Sequence, residues 1–241
     1  LIIEAMGQLG GMGTIGMVPA WTPFSDGEKM IYRGLAKKVF DEAKKGVPFV
    51  PKGQLDWVPI NPEYLISVYD NMVMEVGVSV LFFSRVCSVK KSANDVIDAL
   101  IVANKSGLTA FKAKVFIDAT GDGDVAAWAG ASFKRGFDDK GTNQSSTLCF
   151  SIGNVDAKDY VNGPKIFGSP KSVINQVVAL HKFPLVDGHC CNNLSGPDVI
   201  GFNAGHLDLD TSNPWEVSKA MINGRKKAAQ YLEAMKYARP S

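Results

Sequence analysis

Three glycines near the start of the chain, Gly11, Gly13 and Gly16 in LGGMGTIGMVPAW, stand at the G-x-G-x-x-G spacing with which a backbone can wrap a pyrophosphate. That chemistry needs a strand before the glycines and a helix after them, whose first amides reach the phosphates. Leu1, Ile2 and Ile3 supply the strand, but Pro19 and Pro23 fall where the first helical turns would stand and break them. The simple phosphate turn is therefore rejected. An apolar strand ending in Glu4 has another use: its carboxylate can accept hydrogen bonds from a ribose at the end of the second strand of a dinucleotide unit, with the phosphate-binding glycines about 20 residues upstream. This reading expects a chain that lacks its first strand and glycine turn, in keeping with its opening on Leu1. A processed start is the alternative.

A second cluster, VFIDATGDGDVAAWAG, brings a strand to Thr120 and Gly121 and starts a helix at Asp124. Glycines there let a backbone approach a ligand closely, and the small residues after Asp124 allow tight packing on a sheet. Asp118, Asp122 and Asp124 invite a calcium reading, but they do not follow the D-x-D-x-D-G-x5-E order of a calcium loop. A tight strand-to-helix turn with solvated aspartates is the structural alternative. Of the three histidines, His181, His189 and His206, the last lies in GFNAGHLD, within a stretch rich in glycine and asparagine. Each histidine also has a purely structural reading, satisfied by local backbone. Cys87, Cys149, Cys190 and Cys191 lack the paired C-x-x-C spacing of metal clips and make a poor disulfide framework, so reduced thiols and no bound metal are expected. Cys190 and Cys191 beside His189 leave a redox or metal site as the minor alternative.

Composition bounds the classes. With 241 residues, 46% of them hydrophobic, the chain can bury one large core or two modest ones. A net charge of +2 and short basic runs on predicted helices argue against a nucleic-acid partner. The longest apolar run, VGVSVLFF, is far short of the ~18 residues a membrane span needs. Reduced thiols favour the cytoplasm, with the compartment otherwise open, and a homo-oligomer is compatible with the composition.

The elements that must position these residues follow from periodicity and caps. Ile31, Leu35, Val39 and Ala43 recur every fourth position and predict a helix from Asp26 to Gly46. Asn61 as cap, Pro62 at the first helical position and Leu65, Val68, Met72 and Val76 predict a second helix ending at Gly77. Three strand-like runs, VSVLFFSRVCSV, VIDALIVAN and LTAFKAKVFIDAT, predict an antiparallel meander whose last strand ends in the apolar Val115-Phe116-Ile117. Beyond Phe133 the texture shifts: a polar excursion, a strand in TLCFSIGNV and a short helix from Pro170 to Lys182. The segment from Val186 to Asn213 has the composition of loops that line a site. Asn213, Pro214 and Glu216 open a final helix that runs through Met221, Ala228, Leu232 and Met235.

Glu4 closing a strand, LGGMGT soon after it, INPEYLISVYDNMVMEVGVSVLFFSRVCSV as helix then strand, and FIDATGDGDVAAWAG at the end of a meander resemble, in this order, FAD-dependent oxidoreductases of the two-dinucleotide-binding type. GFNAGHLDLDTSNPWEVSKAMINGRKKA is similar to a later segment of the bacterial group of that name. The resemblance spans nearly the whole chain and implies an α/β fold: an FAD/NAD(P)-binding Rossmann-like domain with an antiparallel β-meander and an inserted substrate domain. It places a partial FAD-binding domain in residues 1–135 and a mixed α+β substrate region in 136–241, and it expects a further C-terminal section that closes over the flavin.

Carried over by position, the resemblance makes Glu4 the ribose-binding acid. Gly10, Gly11, Met12, Gly13 and Thr14 would wrap the pyrophosphate and ribityl chain, and Val86 would meet the adenine edge through its backbone. Thr120 and Gly121 would pass close to the cofactor, with Asp122 or Asp124 in contact with it. Asn203 and His206 are the candidate substrate contacts. No catalytic residue is assigned. FAD is the implied cofactor, and hydride or electron transfer with a small organic substrate the implied activity, a sugar or sugar acid by family association alone. Two alternatives stay open: a binding module that keeps the fold without a working flavin, and a flavin enzyme that modifies nucleic acid.

Overall fold

The computed structural model describes residues 1–22, 24–92, 96–137 and 142–240. Pro23 and parts of the polar connections, 93–95 and 138–141, lie outside the described residues. In chain order the elements are β1 (Ile2–Ile3), β2 (Ala20–Trp21), α1 (Leu35–Ala43), β3 (Val58–Pro59), α2 (Pro62–Glu75), β4 (Val80–Leu81), β5 (Arg85–Lys91), β6 (Ile97–Asn104), β7 (Gly107–Phe111) and α3 (Asp124–Trp128). Then follow β8 (Ser146–Thr147), β9 (Phe150–Ile152), α4 (Ala157–Asn162), α5 (Val173–Ala179), β10 (Cys190–Leu194), β11 (Ile200–Ala204), β12 (His206–Leu207) and α6 (Pro214–Ala238). Among the described residues no helix is long and apolar enough to cross a membrane.

The chain forms two compact units, each built from two separated stretches: Leu1–Leu9 with Asp70–Gln144, and Gly10–Tyr69 with Ser145–Ser241. The divisions fall between Leu9 and Gly10, within α2, and after Gln144. Residues 10–69 therefore pack with the later part of the chain, an arrangement that a single cut along the sequence at 135 does not describe.

In the first unit β1 pairs in parallel with β4, Ile2 opposite Val80. Strands β5, β6 and β7 form an antiparallel sheet in that order, with Val86 opposite Val102 and Leu100 opposite Phe111. Ala99 and Val102 are buried in it, and Val125 of α3 is buried too. The third strand stops at Phe111, well short of the run to Ile117 that its apolar content predicts. Val115 and Ile117 lie outside strands and are 74% and 87% exposed. β-branched residues favour an extended backbone but do not make a strand without a hydrogen-bonded neighbour, and none of the described strands pairs with this segment.

The second unit is organised around the sheet β10-β11-β9, antiparallel throughout, with Cys191 opposite Asn203 and Phe202 opposite Phe150. Its inner face carries Cys190, Leu194, Ile200, Phe202 and Ala204, covered by Val173, Ile174 and Val177 of α5 and by Tyr231, Ala234 and Met235 of α6. Alternation puts Cys191, Asn193, Gly201 and Asn203 on the other face. This corrects the loop reading of Val186 to Asn213. The glycine and asparagine content conceals a two-residue period whose apolar members are all buried, and only residues 195–199 make the turn.

Caps set the helix ends. Asn61 Oδ1 accepts from the Tyr64 amide at the start of α2. Asn213 Oδ1 accepts from Trp215 and Glu216 at the start of α6, and Glu216 Oε2 in turn accepts from the Asp210 amide. The first helix is shorter than its pattern predicts. Asp26 Oδ1 accepts from the amides of Glu28 and Lys29 and closes a local turn, and Gly34 takes a φ of 62°, so helix forms only from Leu35. Ile31 and Leu35, placed on the apolar stripe, are 51% and 74% exposed. The short helix predicted from Pro170 to Lys182 is confined to Val173–Ala179.

Candidate functional site

The glycine turn of the second unit is a short 3-10 segment, Gly11–Gly13, entered through Gly10 at φ 103°. Its amides are closed locally: Gly13 N donates to Gly10 O, and Thr14 N and Gly16 N donate to Gly11 O. Gly10 and Gly13 are closely packed. A Cβ on Gly10 would stand 2.6 Å from both Thr14 Cγ2 and Tyr69 Cε2, and one on Gly13 would stand 3.0 Å from Leu65 Cδ2. Gly11 is different. It sits at φ 51° with open space where a Cβ would be, and Met12 beside it is 66% exposed. A side chain would fill a volume that a ligand can use to reach the backbone. Thr14 is buried, with its hydroxyl donating to Gly11 O at 3.3 Å. Hence the turn is clamped on α2 from below and open at Gly11, a form that fits a cofactor approaching the main chain.

Glu4, Val86, Thr120, Gly121, Asp122 and Asp124 belong to the first unit. Glu4 follows β1, donates its amide to Leu81 O and accepts from Ser84 N through its carbonyl, while its Oε1 accepts from Met6 N at 2.8 Å. Half-buried Val86 lies two residues beyond Ser84 on β5, so the Glu4 and Val86 backbones are near neighbours. The aspartate turn is organised by a residue that sequence reasoning weighed only for calcium. Asp118 Oδ1 accepts from the amide and hydroxyl of Thr120, Asp118 Oδ2 accepts from Ala126 N, and Thr120 Oγ1 accepts from Asp124 N. Burial opposes ionisation of Asp118, yet these donors outweigh it and hold the carboxyl below its ordinary value. Gly121 and Gly123 have φ of 92° and 74° and open space at the Cβ position, as at Gly11. The legible signal for Asp118 was the Asp-x-Thr spacing of a side chain bonding the amide two residues on.

Asn203 and His206 belong to the second unit, as do Gly10 to Thr14. Pro19, which follows the glycine turn, lies against Gly201, where an added Cβ would meet Pro19 Cβ at 2.9 Å. Asn203 stands two residues along on the same face of β11, and its Oδ1 accepts from Thr147 Oγ1 at 2.6 Å. The continuation of the glycine turn and the face that bears Asn203 are thus packed together.

His206 sits in a cluster centred on Asp187. Asp187 Oδ2 accepts from His206 N at 2.7 Å and Lys227 Nζ at 3.2 Å, and Oδ1 accepts from His189 N at 2.9 Å and the Tyr231 hydroxyl at 3.2 Å. His206 Nδ1 is 3.7 Å from Asp187 Oδ1. The rings of His189 and His206 are stacked, centroids 4.5 Å apart, and Phe167 meets His189 edge-on. Burial raises the Asp187 pKa, but the amides of His206 and His189 and the Lys227 ammonium outweigh it and keep the carboxyl below its ordinary value. His189 is pushed down, by burial first and by the neighbouring His206 second, against the pull of Asp187 and a hydrogen bond with the Asn203 side chain. Sequence reading did not single out Asp187, Lys227 or Tyr231. Only the four-residue spacing of Lys227 and Tyr231, which puts both on one face of α6, hinted at them.

All four cysteines are free. Burial raises the thiols of Cys149, Cys190 and Cys191, so none of these three is poised as a thiolate. Among the described residues no group of three or more His, Cys, Asp or Glu side chains could hold a metal ion. A cavity of about 290 Å³ opens on the apolar side of the sheet, lined by Tyr160, Ile166, Phe202 and Met235, with Arg239 at its edge already paired to Asp159.

No curated protein and no solved structure matches the chain. One family model does, over residues 1–240, and its description is FAD dependent oxidoreductase. A match of this extent carries with it a Rossmann-like α/β fold, FAD as the cofactor and flavin-linked redox chemistry, and the open glycine backbones agree with that cofactor. The chain belongs to the FAD dependent oxidoreductase family.

Proposed function

We propose that the protein transfers hydride or electrons between a small organic substrate and FAD. On this reading Glu4 binds the adenosine ribose, the Val86 backbone meets the adenine edge, and Gly10, Gly11, Met12, Gly13 and Thr14 wrap the pyrophosphate and ribityl chain. Thr120, Gly121, Asp122 and Asp124 approach the cofactor from the aspartate turn, and Asn203 and His206 contact the substrate. Residues 1–135 supply most of the cofactor contacts and 136–241 the substrate contacts. Bound flavin supplies the redox chemistry as a hydride or electron acceptor.

The observation that carries the cofactor assignment is Gly11: a left-handed backbone with open space at its Cβ position, on a turn clamped at Gly10 and Gly13. A Gly11→Val variant fills that space and strains the φ of 51° without touching the clamp. Wild-type protein is expected to show flavin absorption that migrates as FAD after heat release. The variant is expected to keep its circular dichroism and lose at least tenfold in FAD affinity. A colourless wild-type protein that takes up no added FAD would favour the binding-module alternative.

A further inference from the structure

Asp187, His189, His206, Lys227 and Tyr231 come from a loop, two strand ends and a helix, and they converge on one carboxylate. Several features separate the cluster from an ordinary structural hydrogen-bond group. Both histidine rings stand beside Asp187 in addition to the backbone amides of the same residues, which already donate to its carboxylate. The His206 side chain is 46% exposed, while that of Lys227 behind it is only 17% exposed. Asp187 Oδ1 lies 3.7 Å from His206 Nδ1, which leaves Nε2 as the ring nitrogen turned away from the carboxylate.

From this geometry we propose that His206 Nε2 is the proton acceptor of the oxidoreductase, oriented by Asp187 and paired with His189, and that the substrate is therefore a small hydroxy compound. The proposal rests on the flavin reading above. Oxidation of a CH–OH group removes a hydride from carbon and a proton from oxygen; the C=O bond forms as the O–H bond breaks. The electron pair leaves with the hydride to the flavin, and the proton goes to His206 Nε2. Asp187 stabilises the imidazolium from the Nδ1 side, the part a carboxylate plays behind a general base.

His189 has a separate role. Stacked against His206 at 4.5 Å, it is disfavoured as a cation by burial and by its neighbour's charge. His189 is thereby held below its ordinary value beside the His206 ring. Asn203 links His189 to the outer face of β11, the face against which Pro19 of the glycine segment packs. The titratable and charged groups that surround the two rings are Asp187, Lys227 and Tyr231. Lys227 is fixed by Asp187 and by the His206 carbonyl at 2.6 Å, and the Tyr231 hydroxyl, pushed up by burial and by Asp187, stays a donor. Asp208, two residues beyond His206, accepts from Ser145.

The test uses FAD-loaded protein and two readouts. Nitrogen-15 imidazole titration should place the His189 midpoint below the ordinary histidine value and make it respond to changes at His206. His206→Gln should raise the His189 midpoint, and Asp187→Asn should lower it. Anaerobic flavin bleaching is then followed with glycerol, glycolate, D-glucose and D-gluconate, and with glycine and sarcosine as amine controls. At least one hydroxy compound should bleach the flavin. His206→Gln should slow that bleaching roughly 10²-fold or more, with FAD affinity unchanged, and His181→Asn should leave it alone. A His189 midpoint that does not respond to changes at His206, bleaching by amines only or by none of the six, or full bleaching in His206→Gln overturns the proposal while the flavin reading stands. Failure of the wild-type protein to take up FAD overturns both.

Discussion

Two carboxylates, Asp118 in one unit and Asp187 in the other, each gather several donors, and the difference between them separates a structural hub from a chemical one. Asp118 collects the Thr120 amide and hydroxyl and the Ala126 amide, all within eight residues. Its work is finished when the turn is formed. Asp187 collects donors from four places in the chain, among them Lys227 and Tyr231, forty and forty-four residues away. Two imidazoles stand beside it, one contacting the carboxylate and the other the Asn203 side chain. A carboxylate that closes a local turn needs no neighbours with titratable groups; one that gathers them from a distance keeps them in register for something else.

Substitution at the two hubs should separate them. Asp187→Ala leaves the largely buried Lys227 ammonium without its carboxylate, and the cost is expected at about 2 kcal/mol, below the range for a fully buried pair because a third of the Asp187 side chain is exposed. In a thermal melt that corresponds to roughly 4–8 °C. Tyr231→Phe removes a buried hydroxyl whose one proton lies within reach of Asp187 O, Asp187 Oδ1 and His189 O, and should cost about 1.5 kcal/mol in urea unfolding. Asp118→Ala removes a cap-like acceptor from α3 and should cost about 1 kcal/mol. Equal losses at Asp118 and Asp187, or a shift of the His189 titration on changing Asp118, would break the comparison.

Acid provides the smallest effect. Both carboxyls titrate in the folded protein below their ordinary value of 3.8. Each therefore contributes stability above that value, and the contribution is lost as the pH falls through it toward the folded pKa. The stability gap between wild type and Asp187→Asn should narrow on that descent, read as urea midpoints from about pH 6 down to about pH 3. A gap that widens in acid would reverse the assigned direction.

What could be read from the sequence follows how local each cause is. Helices α2 and α6 were legible because Asn61 and Asn213 cap them and Pro62 and Pro214 take their first positions. The start of α1 was not, because Asp26 competes for the amides that a helix would need. The β10-β11 hairpin was hidden by its asparagines, although Ile200, Phe202 and Ala204 alternate inward. In the candidate site, Gly10, Gly11 and Gly121 were legible because their backbone demands a missing side chain. His206 was singled out, but the Asp187 cluster around it was not, since Lys227 and Tyr231 reach it only through the packing of α6 on the sheet.

Gly205, between β11 and β12, ties two distant positions together. At φ 75°, any Cβ there would collide with the Lys227 side chain and stand 3.0 Å from Tyr231 Cε2. The lysine stem crosses the backbone through the gap that this glycine leaves. Residues 205 and 227 are thus interlocked in sequence space: a lineage that trades the glycine for a larger residue must first shorten or reroute the lysine. A shorter residue at 227 removes that collision but leaves the Tyr231 contact and the left-handed backbone, both of which still favour glycine at 205.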